Sequence, residues 1–445
     1  MNLEFFKDKI LSDSFKSENR MNKKDFTRDR KLPFSKVLLT VVRKSVKSIQ
    51  NILNETQKHL SVLLDEDLET ISKSAYSQAR DKLNYTAFEE LANDVSDIIY
   101  RDYDYKTYKG FRLLAIDGSM VTLPFNEDIQ KEFNTINVVN QYKDKSKTIV
   151  QARVSVLYDV LNNISVDSVI TDSKIGEISI AKDNNFKKLQ KNDLVIMDRG
   201  YPSYELFTTI TSKYDSDFLI RMKKSWYKDI QFLFDRNSSV KDTIVTLKPT
   251  TKKLNNKIIE QNLPLEIEVR FVQVILDDGE VEVLGTSVLD SKVLKTDDFK
   301  ELYFKRWGIE SFYEIIKNRL SLENFTGLSA LAIKQDFYAT IFISNLETLV
   351  TLGTNKKLSS KIDNKFKQKV NKSISFNIVK NYCFELFYSN KDIEIIFEEM
   401  SKLFLTNTIS IRPNRKYERP SNKEAKNTKG IKSANHQKRK KKSVF

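Results

Sequence analysis

Apolar residues recur with helical spacing through the first hundred residues of the chain. The clearest run keeps a period of about 3.6 residues over Leu38, Leu39, Val42, Val46, Ile49, Ile52 and Leu53. Further along, residues 60–83 predict a short helix, a turn and a second helix, with Thr70 or Ser72 as the N-cap. This arrangement fits a DNA-binding helix-turn-helix and a plain helical hairpin equally well.

The pattern changes from helices to strands near residue 111. Two apolar runs, FRLLAID and DLVIMD, end at Asp117 and Asp198. Between them, TIVQARVSVLYDV and ISVDSVIT flank the turn residues 161–163, which predicts a β-hairpin. A further helix is predicted from about Ser203. We therefore expect a mixed α/β core in which both aspartates close apolar strands, and strand ends are where open α/β sheets usually carry their chemistry.

Longer segments between and after these strands complete the predicted organisation. Residues 177–190 and about 296–320 predict helices, and residues 226–284 are polar with the strand-like runs EIEVRFVQVIL and VEVLGTSV. The stretch between Arg199 and the helix that begins near residue 296 is too long for a connecting loop, so we predict that it contains a β-rich insertion. The predicted regions are 1–105 (helical, DNA-binding), 106–225 (first part of the catalytic core), 226–284 (β-rich insertion), 285–345 (second part of the core), 346–410 (C-terminal helical region) and 411–445 (disordered basic tail).

The amino-acid composition excludes several kinds of catalytic and metal-binding site. Of the 445 residues, 40% are hydrophobic and 30% charged, so a sizeable core is expected, and no apolar run is long enough for a membrane span. The N-terminal residues mix acids and bases where a secretory signal would be apolar, which favours a cytosolic protein. Cys383 is the single cysteine, and His59 and His436 are the two histidines, which argues against zinc sites and Ser-His-Asp chemistry. Metal chemistry would therefore use carboxylates and favour Mg²⁺ or Mn²⁺.

Positive charge is concentrated at the two ends of the chain. The formal net charge is +15, and residues 411–445 hold thirteen Lys and Arg against two acidic residues, so the other residues carry only +4. Residues 16–47 hold eleven more Lys and Arg against three acids. The tail is predicted to be disordered and to bind a polyanion through counterion release, although a purely solubilising tail fits the same composition. Basic ends around a nearly neutral middle favour a nucleic-acid enzyme.

The predicted helix over residues 296–320 carries a polar stripe. Tyr303, Arg306, Glu310 and Lys317 project at roughly 0°, −60°, −20° and −40° around an ideal helix. Ordinary ion pairs on a solvated face would produce the same pattern. The alternative is that Glu310 joins Asp117 and Asp198 in holding two divalent cations for phosphoryl transfer. Arg306 and Lys317 would then hold neighbouring phosphates, and Tyr303 would pack beside a sugar or bind a phosphate.

These motifs resemble those of a known family. Tyr303-x2-Arg306-x3-Glu310-x6-Lys317 is similar to the Y-R-E-K signature of the DDE transposases of bacterial insertion sequences, in the branch called the insertion-sequence-four family. AIDGS around Asp117 and MDRGY from Asp198 resemble the segments that carry the first two acids of that branch. The three motifs occur in the family's order and cover residues 111–325.

The resemblance implies a fold and a reaction. The fold is a ribonuclease-H-like mixed α/β sheet with a β-rich insertion, flanked by N- and C-terminal helical regions. The catalytic and metal-binding residues would be Asp117, Asp198 and Glu310, with two Mg²⁺ ions, or Mn²⁺ as a substitute. The DNA-binding residues would be Tyr303, Arg306, Lys317 and Arg199. The partners would be terminal inverted repeats and target DNA, bound by a homodimer in the bacterial cytoplasm at the nucleoid.

Three functions remain open at this point. The leading interpretation is a transposase that cleaves each element end and joins the freed 3′ ends to target DNA. A nuclease with the same core would cut without joining, and an inactivated transposase would act as a DNA-binding repressor. Some members of the family pass through a hairpin intermediate with an aromatic residue holding a flipped base. Neither Trp226 nor Phe271 can be assigned that role from the sequence.

Overall fold

Helices form both ends of the described chain. The computed structural model describes residues 3–28, 31–140, 145–360 and 366–412. The N-terminal helices are α1 (Leu3–Leu11), α2 (Asp13–Glu18), α3 (Phe34–Val42), α4 (Ile49–Leu64), α5 (Lys73–Arg80) and α6 (Thr86–Asp102). Ser72, one of the two residues predicted as the N-cap, caps α5 by accepting a hydrogen bond from the backbone N–H of Ala75. The predicted basic tail lies outside the described residues apart from its first two positions.

A nine-stranded sheet occupies the middle of the chain. Its strands are β1 (Arg112–Leu123), β2 (Thr135–Asn140), β3 (Lys145–Asp159), β4 (Ile164–Asp172), β5 (Asp193–Met197), β6 (Asp217–Arg221), β7 (Asp242–Leu247), β8 (Ile267–Ile275) and β9 (Val281–Thr286). The order is β4-β3-β1-β5-β6-β9-β8-β7, and β2 pairs with the first part of β3. The strands β1, β5 and β6 run parallel, and the other pairs are antiparallel.

The remaining helices lie between and after the strands. They are α7 (Glu127–Phe133), α8 (Glu177–Asp183), α9 (Tyr204–Tyr214), α10 (Lys252–Glu260), α11 (Asp298–Phe304), α12 (Trp307–Glu314), α13 (Ala330–Ser359), α14 (Lys372–Tyr388) and α15 (Ile393–Thr406). Two short strands, β10 (Gln368–Val370) and β11 (Thr408–Ser410), pair with each other. Within the described ranges, no helix combines the length and apolarity needed to cross a membrane.

The topology confirms the predicted fold class. The antiparallel strands β1, β3 and β4 are followed by β5 and β6, which extend the sheet in parallel on the other side of β1. This is the strand arrangement of a ribonuclease-H-like core, and the predicted hairpin is the β3–β4 pair. The strands β7, β8 and β9, which fall largely in the predicted insertion, extend this same sheet through the β6–β9 pair. They do not form a sheet of their own.

Both faces of the sheet are covered. The run 113–116 in β1 is fully buried, as expected for a strand with helices on either side. Alternate residues therefore enter different cores: Leu114 and Ile116 pack in the core of α8 and α9, whereas Leu113 packs in the core that includes α11. Ala115 belongs to a third core, which contains α12 and the terminal helices.

The two terminal helical regions form one body. The core that contains α12 includes buried residues from α1, α3, α6, α13, α14 and α15. Phe6 of α1 packs against Phe342 of α13 and Phe387 of α14, with both ring centroids 6.3 Å away. The predicted boundary between residues 345 and 346 is wrong, because it falls inside α13, a single helix of 30 residues. The helices of the C-terminal region therefore complete the core begun by the N-terminal ones.

Candidate active site

Asp117 lies within β1, so the prediction that it closes a strand is wrong. The pairing of β1 with β5 stops at Ala115, opposite Ile196, but its antiparallel pairing with β3 continues to Leu123. The antiparallel partner therefore keeps the chain extended through Asp117-Gly118-Ser119, a sequence that by itself favours a turn. Beyond Ala115 the edge of β1 that faced β5 is no longer covered by that strand, and Asp117 lies at this edge.

Asp198 comes directly after β5, as predicted. The register that pairs Arg112 with Asp193 is an offset of 81 residues, and the same offset relates Asp117 to Asp198. Extended two residues beyond the last observed pair, this register would bring the two aspartates side by side, and the negative charge of Asp198 does act on the Asp117 carboxyl group by raising its pKa. Side-chain alternation directs Asp117 with Leu113 and Ala115, towards the face covered by α11 and α12. The spacing of the two acids in the sequence is thus the spacing that the parallel strand pair requires.

The helix predicted over residues 296–320 is divided into three pieces. α11 ends at Phe304, α12 begins at Trp307, and residues 315–319 form a π-helical segment. At the first break, Arg306 and Gly308 donate backbone hydrogen bonds to residues three positions earlier, which is the tighter 3₁₀ pattern. The break lies where the chain approaches Val160, since a Cβ on Gly308 would come within 3.1 Å of that side chain. The projection onto one ideal helix therefore fails.

The predicted stripe is not a fully solvated helix face, because Tyr303 and Arg306 are buried and Lys317 contacts β1, whereas Glu310 is partly exposed. Tyr303 and Arg306 are each only 9% exposed. The Nη2 atom of Arg306 lies 2.6 Å from Oε1 of Glu310, and its Nη1 atom lies 4.0 Å from Oδ2 of Asp117. The Nζ atom of Lys317 donates to Oγ of Ser119 at 2.7 Å and to the backbone oxygen of Met120 at 2.8 Å. Arg306 thus lies between the first and third predicted acids.

The electrostatic environment of Asp117 is unusual. Burial raises the pKa of its carboxyl group to about 6, although the Gly118 N–H and Arg306 act in the opposite direction. The negative charges of Asp198 and Glu177 also contribute to this rise in pKa. The backbone on both sides is fixed: Gly118 donates its N–H to Oδ1 of Asp117 at 2.9 Å, and the Tyr313 hydroxyl donates to the backbone oxygen of Asp117 at 2.8 Å.

Asp117 should make the metal-free protein less stable above pH 6. Because its folded pKa exceeds the unfolded value near 4, the folded state binds more protons between these values, and stability falls as the pH rises from about 4 to 6. Asp117→Asn removes this loss, so in EDTA at pH 7 the variant should be more stable by roughly 1–3 kcal/mol. Urea titrations at pH 4 and pH 7 measure the difference, which should vanish at the lower pH. The exposed Asp183→Asn serves as the control, and equal stability of wild type and Asp117→Asn at pH 7 would contradict the raised pKa.

Glu177, Arg153 and Tyr201 also lie at the site, but the sequence analysis did not propose them as site residues. Glu177 begins α8 and forms an ion pair with Arg153 of β3, with Oε1 and Nη1 2.7 Å apart. Tyr201 is fully buried, and its hydroxyl has no hydrogen-bond partner among the described residues. Tyr201 belongs to the MDRGY motif that carries Asp198, so a signal existed, whereas Glu177 stands in a segment that predicted only a helix.

Three residues considered earlier are not part of this cluster. Arg199, predicted to bind DNA, is exposed next to Asp198. Phe271 is fully buried in β8, where its ring contacts Gly285, so it cannot hold a flipped base in this conformation. Trp226 packs on Phe207, and its Nε1 donates to the backbone oxygen of Pro202.

The carboxylates are balanced by arginines in this conformation. Within the described part of the chain, no group of three or more His, Cys, Asp or Glu side chains is close enough together to hold a metal ion. Glu310 is turned to Arg306 and Glu177 to Arg153. The donor types nevertheless suit a hard divalent cation, because they are carboxylate oxygens together with a buried hydroxyl that has no hydrogen-bond partner among the described residues.

A ribonuclease-H-like sheet with one aspartate on β1, one directly after β5 and a glutamate on α12 is the arrangement of the DDE phosphoryl-transfer enzymes. The sequence pattern of the family described as transposase DDE domain matches residues 108–346, more than half of the chain. The chain belongs to this family. It is a DNA transposase that uses divalent metal to cleave and transfer DNA strands.

Individual proteins show the same relationship. The chain is 22% identical over 323 residues to the transposase InsG for insertion sequence element IS4 of Escherichia coli (strain K12), which covers 72% of this chain and 70% of that protein. This confirms the resemblance to the insertion-sequence-four branch. The chain is also similar to the piggyBac transposase in a cryo-EM structure of its synaptic complex with hairpin DNA. That similarity has a TM-score of 0.45 and 10% identity, and covers 95% of this chain and 89% of the other.

Proposed function

We propose that this protein mobilises a bacterial insertion sequence by binding its terminal inverted repeats, cleaving the DNA at each end and joining the 3′ ends to target DNA. The observation that carries the proposal is the β1–β5 register, whose offset of 81 residues is also the offset between Asp117 and Asp198. Arg306 supports it, because its guanidinium lies 4.0 Å from Asp117 and 2.6 Å from Glu310. Phosphodiester exchange of this kind needs no nucleotide cofactor. Membership of the family establishes DNA strand transfer, whereas the assignment of Asp117, Asp198 and Glu310 to the catalytic site is our own proposal.

Asp117, Asp198 and Glu310 are the residues that would hold two Mg²⁺ ions, with Mn²⁺ as a substitute. When bound, such ions lower the pKa of an attacking hydroxyl and offset the charge that develops on the phosphate. The contribution of the chain is to fix the position of the acids. Asp117 is held through its backbone by β3 and by the Tyr313 hydroxyl, and Asp198 through the Gly200 N–H, which donates to Oδ1 at 2.7 Å.

Arg306 and Lys317 are suited to hold the DNA backbone near the acids. A guanidinium presents two parallel donors to a phosphate, and Arg306 is already anchored between Tyr303 and Trp307, with cation–ring distances of 5.9 and 5.1 Å. Lys317 reaches β1 at Ser119, two residues beyond Asp117. We propose that both side chains exchange these internal contacts for phosphate oxygens when DNA binds, and that Arg306 thereby releases Glu310.

The remaining DNA contacts are proposed from the sequence. The helical region 1–105 would bind the terminal repeats, the basic residues of the tail would add affinity that depends on salt, and two copies would act together on the paired ends. In α5, Tyr76 and Arg80 are buried, whereas five of the other six residues are exposed. Its outer face is therefore open to DNA, as a helix-turn-helix would require. A bacterial element of this kind would be mobilised in the cytoplasm, at the nucleoid.

A cleavage and joining assay tests the proposed function. The DNA flanking the reading frame is searched for inverted repeats, and a duplex that ends in them is incubated with the protein, supercoiled target and either Mg²⁺ or EDTA. We expect Mg²⁺-dependent nicking at the repeat ends and joined products. Cleavage without joined products would favour the nuclease, and binding without cleavage would favour the repressor. Randomised end sequences provide the matched DNA control.

Arg306→Ala and Lys317→Ala should slow cleavage without removing a metal ligand. We expect a rate decrease of roughly 10–100-fold for each, because the scissile strand is held less well. Mn²⁺ binding without DNA should stay intact. Arg306→Lys should rescue only part of the rate, since a point charge replaces a planar fork. Rates are measured in single turnovers with repeat-end DNA at fixed salt.

The matched control is Lys305→Ala, because Lys305 neighbours Arg306 but pairs with the exposed Glu301. This variant should cleave at the wild-type rate. If Arg306→Ala and Lys317→Ala also cleave at the wild-type rate, neither side chain positions the DNA.

A further inference from the structure

Gly118 marks a close approach between β1 and α8. A Cβ atom on this residue would lie 2.5 Å from Oε1 of Glu177 and 2.7 Å from its Cδ. The Glu177 carboxylate therefore rests directly against the backbone of the residue that follows Asp117. Any side chain at position 118 would displace it. Gly118 does not serve a turn, since it has ordinary strand pairing with Ser155; its missing side chain leaves the space that the Glu177 carboxylate occupies.

Glu177 reaches the site from the face opposite Glu310. The side chain of Gly118 would point towards the α8 side of the sheet, whereas Asp117 points towards α12. β5 ends at Met197, so past this point no strand separates the two faces on that side of β1. Gly118 follows Asp117 directly, so the carboxylate that rests against Gly118 lies beside the backbone of Asp117.

Tyr201 supplies a second and independent sign of a binding site. Its hydroxyl is completely buried and has no hydrogen-bond partner among the described residues, although a buried polar group without a partner is costly. Burial raises the pKa of this hydroxyl, and the negative charge of Glu177 raises it further. Tyr201 packs in the core of α8 and α9, the side of the sheet on which Glu177 lies, so its hydroxyl is available to donate to an oxygen bound on that side.

We propose that Glu177 is a fourth acidic residue of the metal site, where it holds a hard divalent cation at Asp117 from the α8 side with Tyr201 donating to the bound oxygen atoms. This rests on the proposed function of Asp117, Asp198 and Glu310. Arg153 contacts Oε1 of Glu177 and keeps the carboxylate pressed against Gly118, so it positions Glu177. An ordinary ion pair between α8 and the sheet would leave the buried Tyr201 hydroxyl without a hydrogen-bond partner.

The test is Mn²⁺ binding by the full chain without DNA, followed by electron paramagnetic resonance. Glu177→Gln keeps the size and the hydrogen bond to Arg153 but removes the charge, and we expect about tenfold weaker Mn²⁺ binding. Gly118→Ala should weaken binding similarly, because its Cβ displaces Glu177, and Tyr201→Phe should weaken it several-fold. Thermal unfolding in EDTA is recorded for each variant, so that a folding defect is recognised.

Two controls make the result specific. Gly176→Ala lies next to Glu177, but its Cβ would meet nothing within 4 Å, so Mn²⁺ binding should not change. Glu205→Gln removes a similarly ion-paired glutamate, held by Lys182 and Lys257 away from the site, and should also bind normally. Wild-type affinity in both Glu177→Gln and Gly118→Ala would overturn the proposal. If Asp117→Asn also bound Mn²⁺ normally, the proposed metal site itself would fall.

Discussion

Replacing Asp117, Asp198 or Glu310 by the corresponding amide should reduce strand cleavage about a thousandfold or more, while DNA binding stays within about twofold of wild type. Each amide keeps the shape of the side chain but loses the negative charge that a divalent cation requires. The proposed DNA-binding helices and the basic tail are untouched, so affinity for the repeat ends should persist. Single-turnover cleavage of repeat-end DNA and gel-shift titration measure the two quantities separately.

Two exposed acidic residues serve as controls for these amide substitutions. Glu314→Gln changes an exposed acid one turn beyond Glu310 on α12, and Asp183→Asn changes an exposed acid at the end of α8. Both should cleave at the wild-type rate. Near-normal cleavage by any one of the three site variants would remove that residue from the catalytic set. Loss of DNA binding together with cleavage would point to a structural role for the residue.

Asp336→Ala should destabilise the helical body by about 3–5 kcal/mol. Asp336 is fully buried in α13, where it accepts a hydrogen bond from Arg80 of α5 at 2.9 Å and others from Thr326. Burial alone would raise its pKa, but the positive charges of Arg80 and Lys44 lower it. Removing the carboxylate leaves the buried Arg80 without its counterion, with Lys44 also nearby.

Equilibrium unfolding in urea measures this effect. Glu301→Ala is the control, because it breaks an exposed pair with Lys305 whose contribution should be below about 1 kcal/mol. A change of similar size in both variants would mean that the buried pair contributes no more than a surface pair. Asp336→Asn should be milder than Asp336→Ala, since the amide oxygen can still accept from Arg80 and Thr326.

The sequence predicted the strands better than their ends. The runs 113–116 in β1 and 194–197 in β5 are apolar at every position because both faces of the sheet are covered, and such runs are recognisable without further context. The predicted end of β1 was wrong because Asp-Gly-Ser locally favours a turn, whereas pairing with β3 keeps this segment extended. That pairing is non-local, so no pattern within the segment reveals it.

The candidate site was predicted in part for the same reason. Asp117, Asp198 and Glu310 stand in motifs, and in the structure Arg306 lies between Asp117 and Glu310. The break in the Glu310 helix lies where Gly308 approaches Val160, a non-local contact that the sequence does not show. Glu177 comes close to Asp117 only because α8 packs across the sheet, so its position could not be read from a helical pattern.

The shared core of the terminal helices sets the timing of folding. Helices α1, α3 and α6 bury their apolar faces against α13 and α14, which are synthesised about 230–290 residues after α6. At the usual rates of protein synthesis, these first helices wait roughly 10–60 s on the ribosome before their partners emerge. During that interval their apolar faces are uncovered and need protection from aggregation by chaperones. A chain interrupted before α13 would therefore leave these helices without a core, and a product of premature termination would not compete with the full-length protein as a folded binder of its DNA.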